Sequence, residues 1–158
     1  MDSSVTFDRY YNLSLRYLSY RPRSEKEIKD YLEKKSTNTP ALTQEIIVQI
    51  IGKLKEYNFL NDLDFAKFWV EQRTKFKKKP IRVIEYELSQ KGIDQDLIEE
   101  VLSKFDAKDL DFENAKKLAD KKMDFYRGLP EDKRREKVMS YLLRKGFNYE
   151  IVKKALKH

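Results

Sequence analysis

Apolar residues recur at three- and four-residue spacing along nearly the whole chain, as in Ile28, Tyr31, Leu32 or Ile84, Leu88, and no stretch alternates cleanly as a half-buried strand would. The pattern predicts an all-α protein. One helix start is written three times: Leu42-Thr43-Gln44-Glu45-Ile46-Ile47, Ile93-Asp94-Gln95-Asp96-Leu97-Ile98 and Phe147-Asn148-Tyr149-Glu150-Ile151-Val152. Thr43, Asp94 and Asn148 are placed to cap orphan amides, and Glu45, Asp96 and Glu150 put negative charge at the positive end of the helix dipole. Leu42, Ile93 and Phe147 precede the caps and can staple onto Ile47, Ile98 and Val152.

Upstream of each staple an i, i+4 apolar pair marks a middle helix: Ile28 and Leu32, Ile84 and Leu88, Val138 and Leu142. Lys91-Gly92 and Lys145-Gly146 supply a cation and a left-handed glycine at two of the C-termini, whereas the first copy ends at Lys35-Ser36 and inserts a loop over residues 36–41. Ser24 with Glu27 reads as a capping box, and Pro80 and Pro130 suit a first helical turn. Further upstream, Leu13, Tyr17 and Leu18 match Phe65, Trp69 and Val70, and more weakly Asn114, Leu118 and Ala119, which gives each copy a first helix. The expectation is therefore three tandem three-helix repeats, residues 1–60, 61–105 and 106–158, forming an elongated, curved helical array. Asn58 ends the first repeat's last helix, and Asp106 to Asp111 reads as a looser acidic connector.

Composition narrows the chemistry. The 158 residues hold 34 Lys plus Arg against 27 Asp plus Glu, a net charge of +7, with no Cys and one His, His158. Disulfides, thiolate metal sites and cysteine nucleophiles are excluded, and four isolated glycines cannot build a phosphate-cradling loop. No metal or other cofactor is expected. Carboxylate pairs such as Glu99-Glu100 and Asp109 with Asp111 are read as charged helix faces, because acid–base catalysis needs groups converging in a cleft. No residue is assigned a catalytic role, and the protein is expected not to be an enzyme. The longest aliphatic run is Ile46-Ile47-Val48 and Met1-Asp2-Ser3-Ser4 does not open a signal sequence, so the chain is expected to be cytoplasmic and off the membrane; separately, it is expected to be a monomer.

An excess of cations favours an acidic partner. Arg73, Lys75, Lys77, Lys78, Lys79 and Arg82 crowd the link between two helices with Phe76 among them, a density that points to nucleic acid or an acidic protein. Arg21 and Arg23 occupy the same place in the first repeat, where pairing with Glu25 or Glu27 is the competing role. Trp69 and most of the ten Tyr fall on apolar stripes and are assigned to the core. The more evenly mixed charges of the third repeat read as general electrostatic steering.

Arg21-Pro22-Arg23-Ser24 with Glu27-Ile28, then Leu60-Asn61-Asp62 through Phe65-Ala66, Arg73, and Glu87-Leu88 through Lys91-Gly92-Ile93 carry a resemblance to the RecX family. It covers most of the chain, the third repeat in pattern only. At Lys79-Pro80-Ile81-Arg82 the family's proline is kept and its preceding glycine is replaced. The resemblance implies a regulator that lies in the groove of a RecA recombinase filament on single- or double-stranded DNA. Such a regulator modulates ATP turnover and strand exchange in DNA repair, recombination and the SOS response. Arg21, Arg23, Arg73, Lys75, Phe76, Lys77, Lys78, Lys79 and Arg82 would form the RecA- or DNA-binding surface. The alternative is a direct DNA reader of helix-turn-helix type, since a three-helix unit with a capped third helix also suits that architecture. A scaffold for an acidic protein partner is a third reading.

Overall fold

The computed structural model describes residues 2–157; His158 lies outside the described residues. The described residues form nine α-helices and no strand: α1 (Ser3–Tyr20), α2 (Glu25–Ser36), α3 (Gln44–Glu56), α4 (Asp62–Glu71), α5 (Ile81–Gln90), α6 (Gln95–Leu102), α7 (Ala107–Phe125), α8 (Glu131–Lys145) and α9 (Tyr149–Lys157). They fall into three consecutive sets of three, as the repeated caps and staples require. None of the described helices is long and apolar enough to cross a membrane.

The i, i+4 pairs are the innermost side chains. Ile28, Leu32, Ile84, Leu88, Val138 and Leu142 are all 0% exposed, each burial contributing about 1.5–3 kcal/mol relative to solvent. The staple residues Leu42, Ile47, Ile93, Ile98, Phe147 and Val152 are buried as well. At the start of α3 the Ile46 amide donates to Thr43 Oγ1 at 3.3 Å, and at α9 the Ile151 amide donates to Asn148 Oδ1 at 2.9 Å. The Ser24–Glu27 capping box is closed at the head of α2. Gly92 and Gly146 adopt φ of 78° and 106° after α5 and α8, and Asn58 takes φ 59° after α3.

Two expectations are corrected. Pro80 and Pro130 stand one residue before α5 and α8, outside the first turn, where the Pro80 carbonyl accepts from the Val83 and Ile84 amides. A proline carbonyl can open the hydrogen-bond ladder although its nitrogen cannot donate. The acidic stretch from Asp106 is no connector: Asp106 caps α7, accepting from the Asp109 amide at 3.3 Å, and the remaining residues already lie in the helix. Its acids complement the helix dipole.

The chain divides into two compact units, Met1–Phe68 with Leu88–Ile98 and Trp69–Glu87 with Glu99–His158, so the second repeat contributes to both. In the first unit α1, α2 and α3 enclose Tyr10, Ile28, Leu32, Ile47, Ile50 and Leu54. In the second, α7, α8 and α9 enclose Ala115, Ala119, Val138, Leu142, Phe147 and Val152. Each unit also contains the same non-local cap. Asp62 Oδ1 accepts from the Glu25 amide at 2.8 Å, and Asp111 Oδ1 accepts from the Ile81 amide at 2.9 Å. The two aspartates hold matching places, three residues before Phe65 and Asn114, and each satisfies the first amide of the preceding repeat's middle helix. Burial pushes both carboxyls above their ordinary value, while the amide hydrogen bond opposes the shift.

Gly52 lies in the exposed interior of α3, and a Cβ there would meet nothing within 4 Å. Gly52→Ala is therefore expected to stabilise the protein by about 0.5–1 kcal/mol through lower unfolded-chain entropy. A fall in thermal midpoint would show that this face of α3 is covered in solution.

Candidate functional site

The basic link starts where α4 loosens. Thr74 is buried, and its hydroxyl donates to the Val70 carbonyl at 2.8 Å, drawing residues Gln72–Phe76 into a single π-helical turn. The Lys79 amide donates back to the Arg73 carbonyl at 2.9 Å, and Lys78 closes the loop with φ 51°. That left-handed conformation is one a non-glycine residue adopts at some cost.

Within this loop the cations divide by what they touch. Arg73 lies over the Trp69 indole, 4.3 Å from the ring centroid, and its Nε is 3.4 Å from Glu87 Oε1. Lys79 Nζ reaches the other oxygen of Glu87 at 3.1 Å. Arg82 Nε donates to the Gly146 carbonyl at 2.8 Å. These three hold the loop against its own unit. Lys78 Nζ donates to the Lys75 carbonyl at 3.1 Å, and Lys75 makes an exposed pair with Glu71 at 3.2 Å. Lys77 is exposed, its carbonyl accepting from Lys145 Nζ at 2.9 Å, and Phe76 is 69% exposed. The projecting tip is therefore Lys75, Phe76 and Lys77, with Lys78 beside it.

The first unit carries a comparable knot. Arg21 binds Glu27 through both nitrogens, at 2.6 and 3.3 Å. Arg23 stacks on the Tyr17 ring at 3.8 Å with its Nη1 3.9 Å from Glu27, and Lys91 Nζ approaches the same carboxylate at 3.4 Å. Burial alone would raise the Glu27 pKa. The hydrogen bonds from Arg21 and the Ser24 amide and the charges of Arg21 and Lys91 outweigh it and hold the carboxyl below its usual value. The pairing of Arg21 and Arg23 is with Glu27; Glu25 pairs instead with Lys55 at 3.4 Å.

A common rule emerges from these positions. Arg21, Arg73 and Lys122 each stand four residues after matching first-helix residues, Tyr17, Trp69 and Leu118. In the second unit Lys122 Nζ lies 4.6 Å from the Tyr141 ring centroid, so all three repeats place a cation against an aromatic ring or a glutamate of the middle helix. Periodicity alone did not reveal it because the partners lie on different helices. The tyrosines depart from the core assignment except for Tyr10, which is buried: Tyr20, Tyr57, Tyr86 and Tyr149 are exposed, and the other five are half-buried. A phenol has an apolar body and a polar tip, which suits a half-buried place at a helix edge.

A second cationic surface was not singled out from sequence. On α8, Lys133, Lys137, Ser140 and Arg144 share one exposed face and, with Tyr126 and Glu136, line an open cleft of 410 Å³. Its spacing of four, three and four residues is legible, but neighbouring acids and the inward Arg134 and Arg135 dilute the signal. Those two arginines donate to the Leu129 and Leu156 carbonyls at 3.2 and 2.6 Å.

Comparison with known proteins gives a consistent set of matches. Three family models align in order: RecX first three-helix domain over residues 11–54, second over 61–102 and third over 109–156. The regulatory protein RecX of Bacillus pumilus is 41% identical over 140 residues, covering 89% of this chain and 51% of that protein. The one from Bacillus subtilis is 36% identical over 146 residues, covering 92% and 53%. The chain thus spans about half the length of the curated relatives it matches. The crystal structure of RecX from Lactobacillus salivarius superposes with a TM-score of 0.74 at 30% identity, covering 98% of this chain and 96% of that one.

Proposed function

Since this chain belongs to the RecX family of regulatory proteins, we propose that it is a non-enzymatic regulator that binds a RecA recombinase filament on DNA. Seated in the filament groove, it would restrain ATP turnover and strand exchange during DNA repair and recombination. The observation that carries this reading is the braced tip: Lys75, Phe76 and Lys77 project from a loop whose base is tied down by Arg73, Lys79 and Arg82. A loop held by three internal contacts presents its outer cations at little further entropic cost, which is what recognition of an anionic surface requires. Arg21, Arg23, Arg73, Lys79 and Arg82 act in this scheme as supports that shape the surface. Tandem repeats add contacts on successive protomers, and avidity follows.

The test is DNA-dependent ATP hydrolysis by a RecA filament from the same source, with and without this protein. Inhibition is expected, and the K75Q/F76A/K77Q variant should need about tenfold more protein for the same effect at about 0.2 M salt, the loss of two counterion-releasing contacts. No change in hydrolysis at saturating protein, with no co-sedimentation, ends this reading.

A further inference from the structure

The exposed face of α8 is a continuous stripe of unlike character from the braced link. Val138 and Leu142 bury the opposite face completely, so Lys133, Lys137, Ser140 and Arg144 are turned outward together over about 16 Å of helix. Glu136 shares the cleft and pairs only loosely with Lys133, at 3.9 Å with both side chains about two-thirds exposed. Lys137 and Arg144 have no carboxylate partner among the described residues. Three cations thus stand against one carboxylate.

At one side of this stripe an aromatic step is ready. Lys137 Nζ lies 5.8 Å from the Tyr126 ring centroid. Tyr126 in turn meets Phe125 edge-on, with centroids 5.0 Å apart and an interplanar angle of 80°. Phe125 is 72% exposed, with Lys122 Nζ 5.3 Å from its ring centroid. With Lys122 over one side of the ring, this largely exposed phenyl group still has surface on which a flat π-system can stack.

From this juxtaposition we propose that the α8 stripe binds single-stranded nucleic acid, phosphates running past Lys133, Lys137 and Arg144 and a base stacking on Phe125. Regularly spaced cations match the repeating charge of a polynucleotide backbone, and an aromatic platform matches bases whose faces are free. A duplex would satisfy the cations and leave the ring unused, because its base faces are stacked internally. Ser140 adds a hydroxyl between the cations that can donate to a phosphate oxygen. The inference deepens the filament reading above and rests on it for biological setting, since it gives the nucleic-acid component of the filament its own site on the third repeat.

The experiment is a fluorescence-anisotropy titration of labelled oligothymidylate, without recombinase, across a range of KCl concentrations. K137Q/R144Q is expected to lower the slope of log affinity against log salt by about 1.4 and to weaken binding about 25-fold at about 0.1 M salt. Phe125→Ala should weaken binding about fivefold or more and leave the slope unchanged. Absence of oligothymidylate binding by the wild type at low salt overturns the inference. So does wild-type behaviour of K137Q/R144Q with helicity intact, or equal competition by a blunt duplex. Binding that depends on α8 while RecA hydrolysis is unaffected would leave this inference standing and remove the filament reading. Hydrolysis that is inhibited by a protein with no affinity for oligothymidylate would do the reverse.

Discussion

Glu27→Gln is expected to lower the unfolding free energy by about 2–3 kcal/mol at neutral pH. The Glu27 side chain is only 12% exposed, and Arg21, Arg23 and Lys91 all face its carboxylate. Removing one member of a buried charged cluster typically costs about 3–5 kcal/mol because the remaining charges lose their compensation. The partial exposure of Arg21 and Lys91 reduces that figure. Glutamine still offers an oxygen to the Ser24 amide, so the capping box survives and the deficit reads the charge. Glu25→Gln is the matched control, since its pair with Lys55 is solvated on both sides and should be worth less than about 1 kcal/mol.

The same substitution carries a pH signature of definite sign. The folded carboxyl of Glu27 lies below its unfolded value, so its contribution is fully present above the unfolded pKa and is lost as pH falls through the folded one. Urea denaturation of wild type and variant should show their gap closing in acid. Asp62 and Asp111 are raised by burial, so their contributions run the other way, weakening as pH rises through their folded values. The wild-type curve alone therefore mixes opposing effects, and the difference between wild type and Glu27→Gln isolates the one of interest. A gap that stays constant from neutral pH into the acid range would show that the carboxylate charge is not what Arg21 and Lys91 respond to.

Glu27 also shows what a linear reading can reach. Its place three residues after Ser24 announces a helix cap, because capping is local and the spacing is short. Its second role, gathering Lys91 from 64 residues away, is set by how helices pack and leaves no trace in spacing. Asp111 is the same case: beside Asp109 it looks like surface acid, yet its oxygen caps a helix that begins 30 residues earlier. The repeat was legible because each copy must start, staple and stop its helices with local chemistry. The division of the basic link was not. Six cations in a short stretch announce charge density, but only the partners Glu87 and the Gly146 carbonyl reveal that Arg73, Lys79 and Arg82 brace the loop. Counting charges ranks this link above α8, whereas counting outward cations that lack a carboxylate partner brings α8 level with it.

Gly146→Ala is expected to cost about 3 kcal/mol, with part of the loss recoverable at a single second site. Gly146 holds φ at 106° after α8, where an L side chain is strained by about 1–2 kcal/mol. A Cβ built there would lie 2.6 Å from Val83 Cγ2 and 3.6 Å from Pro80 Cγ. The first distance is far inside contact, and overpacking of this kind adds about 1–3 kcal/mol. Val83 is β-branched on a helix, so it has little rotamer freedom with which to move its methyl aside. Val83→Ala in the Gly146→Ala background should therefore restore about 1 kcal/mol or more, leaving the backbone cost in place, while Val83→Ala alone should destabilise slightly. Such non-additivity between contacting residues separates the two causes. The consequence reaches the projecting tip, because the Gly146 carbonyl receives Arg82 and the adjacent Lys145 holds the Lys77 carbonyl. On the proposed filament-binding function, inhibition of RecA hydrolysis is expected to fall in Gly146→Ala under conditions where the variant is still folded, and to recover in the double variant. Thermal melts that place Gly146→Ala level with wild type, or a double variant less stable than Gly146→Ala itself, would mean that the turn relaxes without involving α5.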